Sequence, residues 1–156
     1  MTATVATSTD HTPDAGLVLA GHHIHWNWLA LWALLSGFAA FEVVNHGFVN
    51  GSAADAAALT ATAFGCFIAP DLTFLVGIGQ PAQKGHLPVR AVPWYNAMHR
   101  FAVPLIATSM IGVALAPLTI TSLALFVGGL SWMAHIALDR ATGYGLRNAD
   151  GSRSEA

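Results

Sequence analysis

His135 and Asp139 stand four residues apart in the segment WMAHIALDRATGYGL, residues 132–146. Four apart on an α-helix means one face, with one group stacked a turn above the other. The segment continues a hydrophobic run, and ionisable groups are costly in hydrocarbon, so such a pair marks a candidate functional site. Asp71 follows Pro70 in APDL, and His99 ends WYNAMH. Two carboxylates and two imidazoles suit Zn, Mn or Fe, with no thiolate to favour a soft metal. Together, Asp71, His99, His135 and Asp139 could fill a four-coordinate site. Three of them would leave a position where water could be activated. Arg100 and Arg140 adjoin His99 and Asp139 and are the candidate catalytic cations, able to neutralise an anionic substrate group. The same residues also permit an ion-paired lock, with Asp71 or Asp139 against Arg100 or Arg140 and the histidines hydrogen-bonded. That arrangement needs no metal and does no chemistry.

The chain around these residues is built for a membrane. Of its 156 residues, 54% are hydrophobic and 9% charged, against about 25% charged in an average soluble domain. The net charge of −2, with no basic stripe, argues against a nucleic-acid partner. Cys66 is the only cysteine, so no intrachain disulfide can form. Hydrophobic segments run from about Trp26 to Phe48, Ala53 to Gly79, Ala91 to Ala116 and Pro117 to Ala141. Each meets the about 20 residues needed to span a bilayer. The expected fold is all-α, a four-helix transmembrane bundle. Residues 1–21 read as a disordered N-terminal tail without a secretory signal, 22–147 as the single transmembrane domain, and 148–156 as a C-terminal tail.

Lys84 and Arg90 lie between the second and third segments, and Arg140, Arg147 and Arg153 close or follow the fourth. The other two connections, VNGSA and LAPLTIT, carry no Lys or Arg. By the positive-inside rule, both termini face the cytoplasm of a multi-pass protein in the inner (plasma) membrane. Trp26, Trp28, Trp94 and Trp132 read as interfacial anchors or ordinary packing residues, and their places near the span ends favour anchors. Ala53, Ala57, Ala61, Gly65 and Ala69 form a small-residue stripe on one face that would let another helix approach closely, or simply an alanine-rich helix with no special partner. Pro70 must interrupt its helix, and a carboxylate at a break is one way to build an intramembrane site. Counting 1.5 Å per residue from the expected span ends places Asp71 and His99 about 12 Å deep and His135 about 9 Å deep. Asp139 lies one turn nearer the surface, so all four fall in one cytoplasm-proximal layer. Asn96 and Arg100, four apart, share that depth, and Tyr95 lies one turn before His99.

APDL at 69–72, WYNAMH at 94–99 and WMAHIALDRATGYGL at 132–146 resemble the motifs of an uncharacterised family of small bacterial integral membrane proteins. That family is catalogued as a domain of unknown function. Its pattern reads APDLS, then YN-two residues-H, then W-two residues-H-three residues-DR-two residues-GYGLK. The resemblance covers about the last two-thirds of the chain and implies a helical membrane fold, but no activity. Here Arg147 stands where Lys is typical, and HHIHWNWLALW replaces an Arg-Leu-Glu-like opening. A looser similarity links Pro70-Asp71, His99-Arg100 and His135 to Asp139 with Gly143 to membrane-bound metal-dependent hydrolases. The Thr-His-Ser usual after His-Arg there is FAV in this chain.

Other polar groups offer less. Glu42 and His46 are four apart beside Asn45, toward the opposite end of the first span. They read as an interfacial pair or part of a proton path. His22, His23 and His25 lack a neighbouring carboxylate or thiolate and read mainly as a solvated stretch. Gly143 suits a helix C-cap. The leading expectation is a metal-dependent membrane enzyme hydrolysing a lipid or other amphiphile. Against it stand a non-catalytic protein with a structural polar network, a small proton-coupled carrier that would need to oligomerise, and a bis-histidine haem protein using His99 and His135. Membrane lipid and a second copy of the chain are the expected partners.

Overall fold

The computed structural model describes residues 18–19, 22–114 and 119–154. Strands β1 (Val18–Leu19) and β2 (His22–His23) pair antiparallel. The rest of the tail expected over residues 1–21 lies outside the described residues, as does most of the LAPLTIT connection. Helix α1 spans Trp26–Val43 and runs into a π-helical turn, Val44–Val49. Helix α2, Ala53–Ile68, starts on a capping box: Ser52 Oγ accepts from the Asp55 N–H, and Asp55 Oδ2 accepts from the Ser52 N–H. Such a box satisfies two backbone donors that the helix start would leave orphaned. Pro70 lacks an N–H, and α2 stops at Ile68; a 3-10 helix, Ala69–Gly77, carries the chain on, the interruption the sequence calls for.

The third span differs from expectation. Instead of one helix over 91–116, a short α3, Val92–Met98, is followed by a break and then α4, Ala102–Ala114. Pro104 is the physical reason. It sits in the first turn of α4, where its missing N–H costs nothing, whereas in a continuous helix it would strip the Arg100 carbonyl of its donor. Among the described residues, three helical segments are long and apolar enough to cross a membrane: Trp26–Val49, Ala53–Gly77 and Ile120–Ala141. Of the four continuous spans read from the sequence, three are therefore present among the described residues, and the segment read as the third is divided between α3 and α4.

Helix α5, Ile120–Ala141, is the centre of the bundle, and α1, α2 and α4 all pack against it. Its core contacts join Val127, Leu130 and Met133 to Ala39 of α1 and Leu59 of α2. Two successive glycines let two helices come close. A side chain at Gly128 would meet Cys66 Sγ at 2.9 Å, and one at Gly129 would collide with Thr108 of α4. Helix α2 therefore docks through Leu59, Thr62 and Cys66. The small-residue stripe points elsewhere, with Ala53, Ala57, Ala61 and Gly65 exposed. Among the described residues, no helix makes the close approach to that stripe.

One end of the bundle is tied off. The His25 N–H donates to the Ala141 carbonyl at 3.0 Å, joining the start of α1 to the end of α5. Gly143, at φ 80°, follows the α5 C-cap in the left-handed conformation that glycine favours. The chain beyond turns back through a bridge between Arg147 and Arg153, and the Gly151 carbonyl accepts from the Leu87 N–H at 2.9 Å. Ser152 donates to Asp150 Oδ1 from both its N–H and its hydroxyl, which holds the Asp150 carboxyl below its usual range.

Candidate metal centre

The two interruptions and the central helix converge. The break after α2 delivers Asp71, the break after α3 delivers His99, and the last two turns of α5 deliver His135 and Asp139. His99 Nε2 and His135 Nε2 lie 3.4 Å apart. Asp71 Oδ1 is 3.9 Å from the first and 3.6 Å from the second. Asp139 Oδ2 approaches the same nitrogens at 3.3 and 3.7 Å. Asp71, His99 and His135 each offer one ligand atom, all within 4.8 Å of one another, a grouping able to hold a metal ion. Four groups spread over 69 residues of sequence thus meet at one point.

Burial is uneven across the cluster. The His99 and His135 side chains are 2% and 6% exposed, whereas that of Asp71 is 47% exposed. The imidazoles are therefore fixed by packing, and the cluster opens on the Asp71 side. Tyr95 stacks on His99 with ring centroids 3.8 Å apart, and Phe67 meets His135 edge-on at 5.3 Å. His99 Nδ1 lies 2.8 Å from the Tyr95 carbonyl. A carbonyl only accepts, so Nδ1 carries the hydrogen, and in a neutral ring Nε2 turns a lone pair into the cluster. This is how a second partner prepares a metal-ligating histidine.

The spacing suits a small cation. Points 3.4, 3.6 and 3.9 Å apart share a centre about 2.1 Å from each, within the about 2.0–2.2 Å of Zn–N and Zn–O bonds. The same distances exclude the haem reading. Trans ligands of one ion stand about 4 Å apart at such bond lengths, and rings 5.4 Å between centroids at 62° leave no room for a porphyrin.

The candidate arginines stand differently. Among the described residues, the ion pairs of Asp71 and Asp139 all run to histidine. The expected Asp–Arg lock is not formed by Arg100 or Arg140. Arg100 is exposed at the α3–α4 break, and Arg140 lies half-buried beside Gly145.

Several supporting residues were not singled out for these roles from the sequence. Trp132, read as an anchor or a packing residue, donates its indole N–H to the Met98 carbonyl at 2.8 Å. It thereby satisfies a carbonyl freed by the break, one residue before His99. Asn96 clamps the tail: its amide donates to the Arg147 carbonyl, and its Oδ1 accepts from the Arg147 N–H, both at 2.8 Å. Arg147 in turn lies over the Tyr95 ring, 5.6 Å from its centroid. Trp28 packs edge-on against Phe101. Trp26 and Trp94, at 59% and 60% exposed, keep the exposure expected of anchors. Glu42 and His46 pair at 3.3 Å beside the π-helical turn, at the far end of α1 from this cluster. His25 is exposed at the start of α1.

DUF4260, a domain of unknown function, matches residues 52–154. The chain belongs to the DUF4260 family. The match holds all four residues of the cluster and both helix breaks; α1 lies before it. No curated protein and no solved structure matches the chain. Within the DUF4260 match, the local signals have structural counterparts. Pro70 stands at the break before Asp71, Tyr95 braces His99, Asn96 clamps the tail, and Trp132 braces the break that presents His99.

Proposed function

We propose that this DUF4260 protein is an integral inner-membrane metalloprotein that hydrolyses an ester or phosphoester bond of an amphiphile. Asp71, His99 and His135 hold one divalent ion, with zinc the best match to the spacing, and Asp139 flanks it. The observation that carries the reading is the meeting of three ligand atoms 3.4–3.9 Å apart, one of them on an imidazole whose tautomer a backbone carbonyl fixes.

Such an ion supplies Lewis acidity and a water nucleophile near neutral pH. The chain's own groups supply the rest. His99 and His135 are immobile ligands held by Tyr95 and Phe67. Asp71 is the exposed ligand on the open side, where substrate enters. Asp139 Oδ2 is the base that takes the water's proton, which passes on to the leaving alkoxide as the hydroxyl adds to the carbonyl or phosphoryl centre. Arg100 and Arg140, at the same end, meet the negative charge of the substrate. With both termini cytoplasmic, this end lies on the inner face, as the position of all the lysines and arginines supports.

The direct Asp139–His99 contact of 3.3 Å also favours a second reading, a metal-free polar network in which protonated histidines satisfy the carboxylates and fix helix packing. Elemental analysis of detergent-purified protein separates the two. The metal reading expects about one Zn, Mn or Fe per chain, lost in both His135→Ala and Asp71→Ala. Wild-type protein without metal, even after reconstitution with each ion, refutes the metalloenzyme and leaves the polar network.

A further inference from the structure

Helices α1 and α2 both lie against α5 but splay apart from each other. Between them is an apolar groove of about 380 Å³. Ser36, Ala40 and Val43 form one wall, Ala63 and Phe67 the other, and Ala134 part of the floor. Because α1 and α2 run in opposite directions, Ser36 and Phe67 mark the same end, and Val43 marks the other. By helical rise the groove is about 12 Å long, within a hydrocarbon core of about 30 Å.

Its position relative to the metal centre is the informative part. Phe67 closes one end of the groove, and its ring edge rests on His135. Ala134, the residue before His135, lies on the floor. The groove thus starts at the depth of the cluster and runs away from it, toward the opposite face of the membrane. At the other side of the cluster, Arg140 closes α5, Arg147 and Arg153 follow it, and Lys84 and Arg90 lie in the connection between Gly77 and α3, while Arg100 stands beside His99 at the α3–α4 break. An apolar channel, a set of metal ligands and a cationic end therefore follow one another along the bundle axis.

From this order we infer that the groove seats one acyl chain of an anionic phospholipid, with the chain's carbonyl end at Phe67 and the phosphate toward the cations. The inference rests on the metal-centre reading only for what happens to the bond, because the lipid seat stands without it. Lipid tails gain no hydrophobic energy by leaving other tails, so the groove fixes where the chain lies and the cations select the headgroup. Phe67 couples the two sites, since a seated chain presses on the ring that holds His135 in place.

The test uses the full chain in phosphatidylcholine nanodiscs carrying trace phosphatidylglycerol with a photoactivatable diazirine in one acyl chain. After irradiation, label should concentrate on the peptides containing Ala40, Val43 and Ala63. It should exceed that from a phosphatidylcholine probe about five-fold, the preference conferred by about one well-placed cation. Ala40→Phe, which fills the groove from an exposed position, should remove the label there, and Ala63→Phe should do the same if Ala40→Phe folds poorly. Label spread evenly over outward residues such as Phe41 and Ile68, unchanged by either variant, overturns the proposal. Equal labelling by the two headgroups overturns its anionic half. Metal analysis of the same samples keeps the readings apart: groove labelling without metal refutes the enzyme alone, and metal without groove labelling refutes the lipid seat alone.

Discussion

Replacing Trp132 by Phe tests whether the α3–α4 break is built into the fold or is incidental to it. The ring remains and most of its packing with it; what disappears is the 2.8 Å bond from the indole N–H to the Met98 carbonyl. That carbonyl lies at the end of α3, where no further turn of helix supplies a donor. Loss of a hydrogen bond at this part-buried acceptor costs about 0.5–1.5 kcal/mol. For a chain of this length that corresponds to a fall in melting temperature of roughly 2–4 °C per kcal/mol. His99 is the next residue, so the loosened break also loosens a metal ligand. Disturbing such an outer support lowers metal affinity by about 10–100-fold. The assay is a thermal melt in detergent, with and without added zinc, of Trp132→Phe beside Trp94→Phe, whose side chain is 60% exposed. The Trp132 variant should melt lower and need more zinc for half-maximal stabilisation. Equal melting temperatures for the two variants would falsify the bracing role, and an unchanged zinc requirement would detach the break from the metal centre.

Three further outcomes are expected. Gly129→Ala should destabilise the bundle by about 1–3 kcal/mol, because its new methyl collides with Thr108 and must push α4 off α5; chemical denaturation in mixed micelles measures this, and a neutral result means α4 does not dock there. Asn96→Ala removes both bonds to the Arg147 backbone, so limited proteolysis should cut residues 147–154 at least several-fold faster while the helices stay protected, and an unaltered digestion pattern would show that the clamp does not hold the tail. The Asp150 carboxyl is held below its usual range by Ser152; a group whose folded value is depressed adds stability above its unfolded value and loses it as pH falls through the folded one. Order in the 148–152 turn should therefore persist down through the ordinary carboxylate range near 3.8 and fail below it, as amide exchange over that turn would report, and loss of protection above that range would contradict the assignment.

The sequence revealed the cluster better than the scaffold around it. The four-residue spacing of His135 and Asp139, and the place of Asp71 behind a proline, are local properties of a helix and of its interruption. Rise per residue then put His99 at a matching depth even though its span is broken. The break itself is not legible because hydrophobicity runs unbroken through residues 91–116, while the deciding signal, Pro104, is a single residue whose effect depends on which turn of a helix it enters. Trp132 and Asn96 could not be assigned from spacing at all. Their partners lie 34 and 51 residues away, and only the register of α3 against α5 and the tail brings them together. The small-residue stripe is not what docks α2 on α5, for a related reason. Size marks a face that can be approached closely, but here the bulkier Leu59, Thr62 and Cys66 face α5 because its glycines make the room.

The two broken helices explain how a polar cluster can form among these apolar helices. In an unbroken helix every backbone carbonyl is engaged by the turn that follows, and side chains leave the axis at fixed angles. At the ends of α2 and α3 the regular ladder stops, so Asp71 and His99 can turn toward α5. The Tyr95 carbonyl, which also accepts from the His99 N–H, orients the His99 ring, and the freed Met98 carbonyl is satisfied by Trp132 from α5, the helix that also carries His135 and Asp139. One helix therefore presents two of the four polar groups and secures the segment that presents a third. A change on α5 that shifts its register by even one residue would separate His135 from His99 and Trp132 from Met98 together. Inserting one alanine after Ser131, between the docking glycines and the motif, should accordingly abolish metal binding and the bracing bond in the same step, while one inserted at the solvent-facing Ala149 should leave both intact. Metal retained by the first insertion would mean that the ligands are held by local loops and not by the packing of α3 on α5.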